Sequence, residues 1–375
     1  YRYSDYDTTG NVPTYKALFS WAPFDAFRVR GGYQLANRAP NINELFLDAS
    51  STATTMRGPE YCRSDTREPT GNTASNPNGA AVQALCQALI GNNTSEFSLN
   101  PNQYLGGRGD GVILQQSSGN IDLESEEGKT LTLGFVLTSP FDTPAFSNAS
   151  LSVDSYKVKI TDAIATVTAQ STFDLCFNRD GTSNPTYSID DPNGICRNIV
   201  RDELTGSALQ VNSQYENLGI IDTSGIDANF NWRSALEDIG LQSLPGNLSV
   251  NLSFTYLFDY EAQEFRTAPA LENAGTLARF GLFDWRTVTT FRYSTPTWDM
   301  ALNWRHLPAI RNQAYVTDPQ TMTQGAGSYD MFALTGNWNI TEHFGISGGI
   351  DNLFDRQPER VGAGQVQTIA ANSGG

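Results

Sequence analysis

Apolar and polar residues alternate strictly in segment after segment of the chain. Residues 14–21 set Tyr15, Ala17, Phe19 and Trp21 against Lys16 and Ser20, and 26–35 set Phe27, Val29, Gly31, Tyr33 and Leu35 against Arg28, Arg30 and Gln34. The rhythm returns at 129–137 (Leu131, Leu133, Phe135, Leu137) and at 226–232, where Ile226, Ala228, Phe230 and Trp232 oppose Asp227, Asn229 and Asn231. It returns again at 248–258, at 298–306 (Trp298, Met300, Leu302, Trp304 against Asp299, Asn303, Arg305) and at 344–351. A period of two predicts strands with one apolar and one polar face. One segment changes phase: Leu151 and Val153 are odd, whereas Tyr156, Val158 and Ile160 are even. That shift predicts a β-bulge near Asp154–Ser155.

The predicted connections alternate in length. Ala22–Asp25, Ser294–Pro296 and Thr341–His343 are short, with 139–148 and 234–247 somewhat longer; 37–126, 167–215, 263–278, 310–327 and the segment from 354 onward are long. About eleven antiparallel strands result, the first of them short. Short turns at one rim and long loops at the other are the pattern of a transmembrane β-barrel. No apolar run is long enough for a membrane-spanning helix, and a closed barrel is the other structure that satisfies its backbone in lipid. Trp21, Tyr33, Tyr256, Phe258, Tyr260, Trp298, Trp304, Tyr329 and Phe344 fall near strand ends, where interfacial aromatic girdles sit. The fold class expected is all-β, a partial transmembrane antiparallel barrel. The competing reading is a soluble two-sheet protein with the same residues in a closed core.

Composition narrows the partners. The 375 residues carry a net charge of −16, with only 17% charged residues, which excludes phosphate-backbone binding and hence nucleic acid. Lysine occurs only at Lys16, Lys129, Lys157 and Lys159. The chain opens at Tyr1 inside an apparent strand and closes at Gly374-Gly375 in an apparent loop, so it is expected to be a fragment.

Four stretches resemble landmarks of the TonB-dependent receptor family of Gram-negative outer membranes. They are Arg38-Ala39-Pro40 through Glu44-Leu45-Phe46; Asn120 through Leu123, Glu124, Glu127 and Thr130 to Gly134; Asn217-Leu218-Gly219 through Thr223-Ser224-Gly225-Ile226-Asp227; and Gly349-Ile350-Asp351-Asn352-Leu353-Phe354-Asp355. Their order and spacing are similar to the C-terminal half of a receptor barrel. The resemblance implies that 1–375 supplies about half of a 22-stranded barrel, without plug domain, Ton box, first barrel half or last strand. It implies uptake of a scarce nutrient (siderophore-iron, cobalamin, haem or oligosaccharide) across the outer membrane. The partners implied are outer-membrane lipid, a small ligand, and the TonB–ExbB–ExbD complex acting through the plug. A passive porin and a secreted soluble β-sheet binding protein are the alternatives.

Candidate chemistry is sparse. Cys62 and Cys86 lie in one long loop, Cys176 and Cys196 in another. Four cysteines allow three pairings, of which loop-local disulfides are the simplest; each would be worth roughly 3–4 kcal/mol on the chain-entropy model. Zinc is disfavoured because no two cysteines are close in sequence and the histidines are only His306 and His343. The turn-rich acidic loop Asp180–Gly194 reads as solvated rather than as a calcium site, and Gly106–Gly111, with its Arg108-Gly109-Asp110, as a loop tip. Glu124, Glu126 and Glu127 read as a strand-entry face, and His306 as an interfacial ring. No catalytic arrangement is legible, so no enzyme activity, metal or cofactor is expected. Lys16, Arg28, Arg30, Asp227, Asn229, Asn231, Asn303 and Arg305 are expected to face the lumen; which residues bind a ligand is not legible.

Overall fold

The computed structural model describes residues 1–55, 61–62, 76–90, 112–179, 181–202, 206, 208–263, 270–277, 281–312 and 325–359. One curved sheet dominates. Its path is β1 (Arg2–Tyr6), β2 (Gly10–Phe24), β3 (Phe27–Arg38), β6 (Glu126–Thr138), β7 (Ala149–Thr166), β9 (Ala208–Ala235), β10 (Asn247–Gln263), β12 (Trp285–Ser294), β13 (Trp298–Leu307), β14 (Tyr329–Thr341) and β15 (Phe344–Ile350). Each of these eleven strands pairs antiparallel with the next along that path. β4 (Ser50–Thr55), β5 (Val112–Ser118), β8 (Ile199–Arg201) and β11 (Leu271–Glu272) belong to the long connections. From β2 onward, up-and-down order places the shorter turns at one rim and the long connections at the other; the three-residue turn between β1 and β2 lies at the rim of the long connections.

Register fixes the two faces. Phe19 pairs with Gly31, which pairs with Leu133, and Trp21 pairs with Val29, which pairs with Phe135. The same face continues through Val153–Ala228–Phe254 and Met300–Gly336–Gly348. Its large side chains are bare: Phe19, Trp21, Leu131, Leu133, Trp338, Ile346 and Ile350 are each more than half exposed. Phe254 and Trp304 are not in a closed core, so two packed sheets are excluded. An apolar outer face left open around a curved sheet is one that meets lipid. On it, Gly336 pairs with Gly348 and leaves a notch of about 420 Å³ walled by Trp298, Met300, Trp338 and Ile346.

Three local expectations are corrected. β7 pairs with β6 without a break from Ser150 to Thr161, so no bulge lies at Asp154–Ser155; the irregularity is between Thr161 and Ile164, where Asp162 has φ 57°. The parity change has another cause. Outward positions beyond Ser155 are Lys157 and Lys159, beside Ser224 and Asp222, because there the strand has risen past the apolar belt and its outer face meets water. Tyr260 belongs to the inner face, since a real bulge between Leu257 and Asp259 reverses the alternation. Tyr329, paired with Leu307 one residue beyond the outward His306, also points inward. Finally, the predicted loop 167–215 ends earlier: 208–215 extends β9 upward.

Candidate functional site

Among the described residues the larger buried hydrophobic cluster lies mostly in the long connections, with Ala208 and Val211 of the raised end of β9; a smaller one joins Leu277, Ile310 and Ala326. The first connection contains α1 (Ile42–Phe46), β4, α2 (Gly79–Ile90) and β5; the second contains α4 (Ala169–Cys176) and β8, α3 (Pro144–Ser147) being part of a short turn. Val82, Leu85, Cys86 and Ile90 of α2 pack with Phe173, Cys176 and Phe177 of the second connection and with Val211 of β9. Tyr61 joins them: it has no exposure, stacks on Phe177 with centroids 4.9 Å apart, and donates from its hydroxyl to Asp174 at 2.6 Å. Burial, and then the adjacent Asp174 carboxylate, push the Tyr61 pKa upward, so the phenol remains a neutral donor. Arg201 sits over the Phe173 ring at 5.7 Å. Both connections therefore form one cap with a shared core.

The sulfur atoms join Cys62 to Cys86 and Cys176 to Cys196, with Cα–Cα distances of 5.4 and 4.8 Å. All four half-cystines are buried in the shared core. Around the second bridge Asn184 acts as a hub. Its Nδ2 donates to the carbonyls of Cys176 (2.8 Å) and Ser188 (3.0 Å), and its Oδ1 accepts from Ser188 N–H (2.9 Å). The acidic turn that follows is closed by its own contacts: Asp191 accepts from Asn193 and Gly194 N–H, and Asp190 pairs with Arg197. No group of metal-ligating side chains occurs among the described residues. Gly106–Gly111 and Asp180 lie outside the described residues.

The cap is fastened to the sheet at points that include the landmark stretches. β5 runs parallel to the raised part of β9, from Leu114↔Gln210 to Ser118↔Gln214, and pairs antiparallel with β4. Asn120 Nδ2 donates to the Tyr215 carbonyl, and Asn217 exchanges bonds with Glu124, donating to its carbonyl at 2.9 Å and accepting its N–H at 2.8 Å. Arg38 lies at the exit of β3. It binds Glu126 at 2.6 and 2.7 Å and Glu44 at 2.9 and 3.1 Å, while Asn41 and Glu44 form a capping box on α1. Burial alone would raise the Glu126 pKa; the Arg38 guanidinium and the Ile164 N–H outweigh it and hold it below the ordinary glutamate value. Glu126 is thus an anchor rather than part of a plain strand-entry face. Glu216, half-buried higher on β9, is shifted upward by burial.

Two more landmarks have local causes. A Cβ at Gly225 would lie 2.5 Å from both the Tyr156 hydroxyl and the Tyr256 carbonyl, so only glycine lets Tyr156 cross it. After β15, Asn352 and Asp355 adopt φ 49°, a left-handed conformation that Asn and Asp tolerate. Asn352 Oδ1 accepts from Arg356 N–H at 2.8 Å and Leu353 N–H donates to the Phe332 carbonyl at 2.7 Å, turning the chain away from the sheet.

Below the cap, the inward face is polar. Register places Lys16, Arg28, Arg30, Asp227, Asn229, Asn231, Asn303 and Arg305 on it, as their parity required. Arg30 grips Asp154 on β7 with two bonds of 2.8 and 2.5 Å, Asp227 accepts from Thr255, and Asn229 from Ser253. His306 is on the outer face, stacked on Trp285 at 4.8 Å and bonded to Asp330 at 2.7 Å. With Trp304 it forms an interfacial aromatic group, not a site over the lumen.

A polar inward wall, an apolar outward face and long connections gathered at one rim of an eleven-stranded antiparallel path are the architecture of a receptor barrel. The family model described as TonB dependent receptor-like, beta-barrel matches residues 1–353. The chain belongs to that family. Its rim of long connections is therefore extracellular, and its family is one of outer-membrane transport receptors of Gram-negative bacteria, not of enzymes. No curated protein matches the sequence. Among solved structures, the ferric enterobactin receptor of Pseudomonas aeruginosa, as its Q482A mutant with enterobactin, aligns with a TM-score of 0.52 at 13% identity over 94% of this chain and 37% of its own. The siderophore receptor PirA of Acinetobacter baumannii aligns with a TM-score of 0.50 at 14% identity, over 95% and 38%. These likenesses show the fold, and the chain spans well under half the length of the receptors it matches.

Proposed function

We propose that residues 1–375 are the C-terminal part of the barrel of an outer-membrane receptor that takes up a scarce, small nutrient solute with TonB energy coupling. The carrying observation is the cap: two extracellular connections share one buried core, each is stapled by a disulfide, and both are fastened to the raised end of the sheet. Long loops are most often functional or disordered, and a shared core argues against disorder. A pre-ordered cap loses little entropy when a ligand settles beneath it. The solved relatives named for siderophore reception support ferric chelates as the first candidates, with cobalamin, haem and oligosaccharides as the others. Coupling through a plug domain to TonB–ExbB–ExbD is part of this reading, and family membership supports it.

The test is transport by the complete receptor in a Gram-negative host lacking its own siderophore receptors. Radiolabelled ferric chelates, cobalamin, haem and oligosaccharides would each be offered with and without a protonophore. Saturable uptake of one solute, abolished by the protonophore, is expected. Uptake that is non-saturable and indifferent to the protonophore would mean a passive porin.

A further inference from the structure

The two longer periplasmic turns, 139–148 and 234–247, fold back over the outer face of the sheet instead of hanging below it. Trp232 and Tyr293 lie near the periplasmic ends of β9 and β12 and point outward, since Trp232 pairs with Val250 and Tyr293 with Leu248. The Trp232 indole N–H donates to the Ala145 carbonyl of α3 at 2.7 Å, and the Tyr293 hydroxyl donates to the Pro245 carbonyl at 2.6 Å. The first bond draws 139–148 to the lipid side, and the second draws 234–247 there. Ser234 agrees: it pairs with Leu248 and so points outward, yet it is only 2% exposed. Between the turns, α3 touches the 3-10 turn Glu237–Ile239, and Ala145 and Leu236 are buried. The two turns therefore form one ordered foot on the outside of the rim.

The foot presents bulky apolar side chains. Phe146 follows Ala145 and Leu244 precedes Pro245, and both are more than half exposed. Phe141 and Leu241 of the same turns are also exposed. An exposed apolar patch of this kind marks a surface that meets a partner or a membrane. Continuity decides which. Trp232 and Tyr293 belong to the lipid-facing side, and Trp298 of that side meets Tyr293 edge-on at 5.0 Å. At this height the hydrocarbon gives way to headgroups, where rings with a polar edge and the apolar faces of amphipathic elements settle. We infer that 139–148 and 234–247 are a membrane foot, which inserts Phe146 and Leu244 among the phospholipid acyl chains of the periplasmic leaflet while Glu237 and Asp238 stay in water. The foot fixes the depth of the barrel on this side. It goes beyond the reading of the protein as a solute receptor and is independent of the solute.

The test uses the complete receptor in vesicles of phosphatidylethanolamine and phosphatidylglycerol, taking only protein with the heat-modifiable gel mobility of a folded barrel. The four cysteines of 1–375 are in disulfides, so Phe146→Cys, Leu244→Cys, Glu237→Cys and Leu133→Cys each provide a site for a nitroxide. Collisions with oxygen and with a neutral nickel chelate, present on both sides of the vesicle, are compared. The oxygen-to-nickel ratio at Phe146 and Leu244 should approach that at the lipid-facing Leu133 and exceed that at Glu237 severalfold. Nickel preference at either Phe146 or Leu244 would overturn the proposal. So would spin–spin broadening between Phe146 labels, the mark of a second copy seated on the foot. The unsubstituted receptor gives a second measurement. A phospholipid carrying a carbene precursor near the top of its acyl chain should leave adducts on peptides within 139–148 and 234–247. Adducts confined to the strands would contradict the foot whether or not the labelled variants fold.

Discussion

Arg38 and Glu126 face each other across the β3–β6 ladder, 88 residues apart in sequence, and the guanidinium holds the carboxylate with two hydrogen bonds. The pair closes the base of the longest described connection, because Arg38 also holds Glu44 of α1 and Glu126 also accepts the Ile164 N–H. It ties the cap to three strands at once.

Glu126→Gln should loosen that attachment. The side chain of Arg38 is 44% exposed and that of Glu126 16%, so solvent screening limits the loss to about 1 kcal/mol. The folded-state pKa of Glu126 is depressed. Its contribution is therefore complete above the ordinary glutamate range and is lost as pH falls through the lower folded value. Protease nicking of the cap, followed against pH, should rise in acid for the native receptor and be elevated and flatter for the variant. Identical profiles would show that the pair does not fasten the cap.

Tyr61 joins the two connections. Tyr61→Ala empties a fully buried site against Phe177 and should cost about 3–5 kcal/mol of cap stability. Tyr61→Phe, which keeps the stack and drops the bond to Asp174, should cost about 1 kcal/mol. In hydrogen exchange the Ala variant should deprotect α2 and α4 together. Deprotection confined to α2 would mean that the connections are independent.

Removing one disulfide should act on the cap alone. Cys62→Ser/Cys86→Ser is expected to lower local stability by roughly 3 kcal/mol on the loop-entropy model, while the barrel keeps its heat-modifiable gel mobility. A barrel that loses that mobility would show that the bridge serves assembly of the sheet.

Gly225→Val should impair assembly itself, because its side chain would meet the Tyr256 backbone, which cannot be trimmed by mutation. Tyr156→Ala should not rescue it. Normal yields of folded Gly225→Val protein would refute the close approach of the Tyr256 carbonyl to Gly225.

The strands were legible because a period of two is written directly by the requirement that one face meet lipid and the other water. The landmark stretches were legible for a related reason: Arg38, Asn217, Gly225 and Asn352 each solve a local backbone problem that the residue type reveals. What failed were inferences that read polarity as backbone geometry. The switch at Tyr156 marks the edge of the apolar belt and not a bulge, whereas the bulge at Leu257–Asp259 left no mark in the pattern and misplaced Tyr260. The cap core could not be read at all. Tyr61, Val82 and Phe173 come together only when two distant connections dock, and no periodicity spans that distance.

The account rests on the assignment of faces, and β6 tests it most directly. Nitroxide labels placed singly from Thr130 to Val136 in the complete, membrane-inserted receptor would be exposed to oxygen, which prefers lipid, and to a neutral nickel chelate, which prefers water. Leu133 and Phe135 should favour oxygen, and Thr130, Thr132 and Val136 the nickel chelate, with Leu131, paired with the outward Lys157, at the belt edge. Equal accessibility at successive positions, or alternation with the opposite sign, would contradict the membrane barrel on which the rest depends.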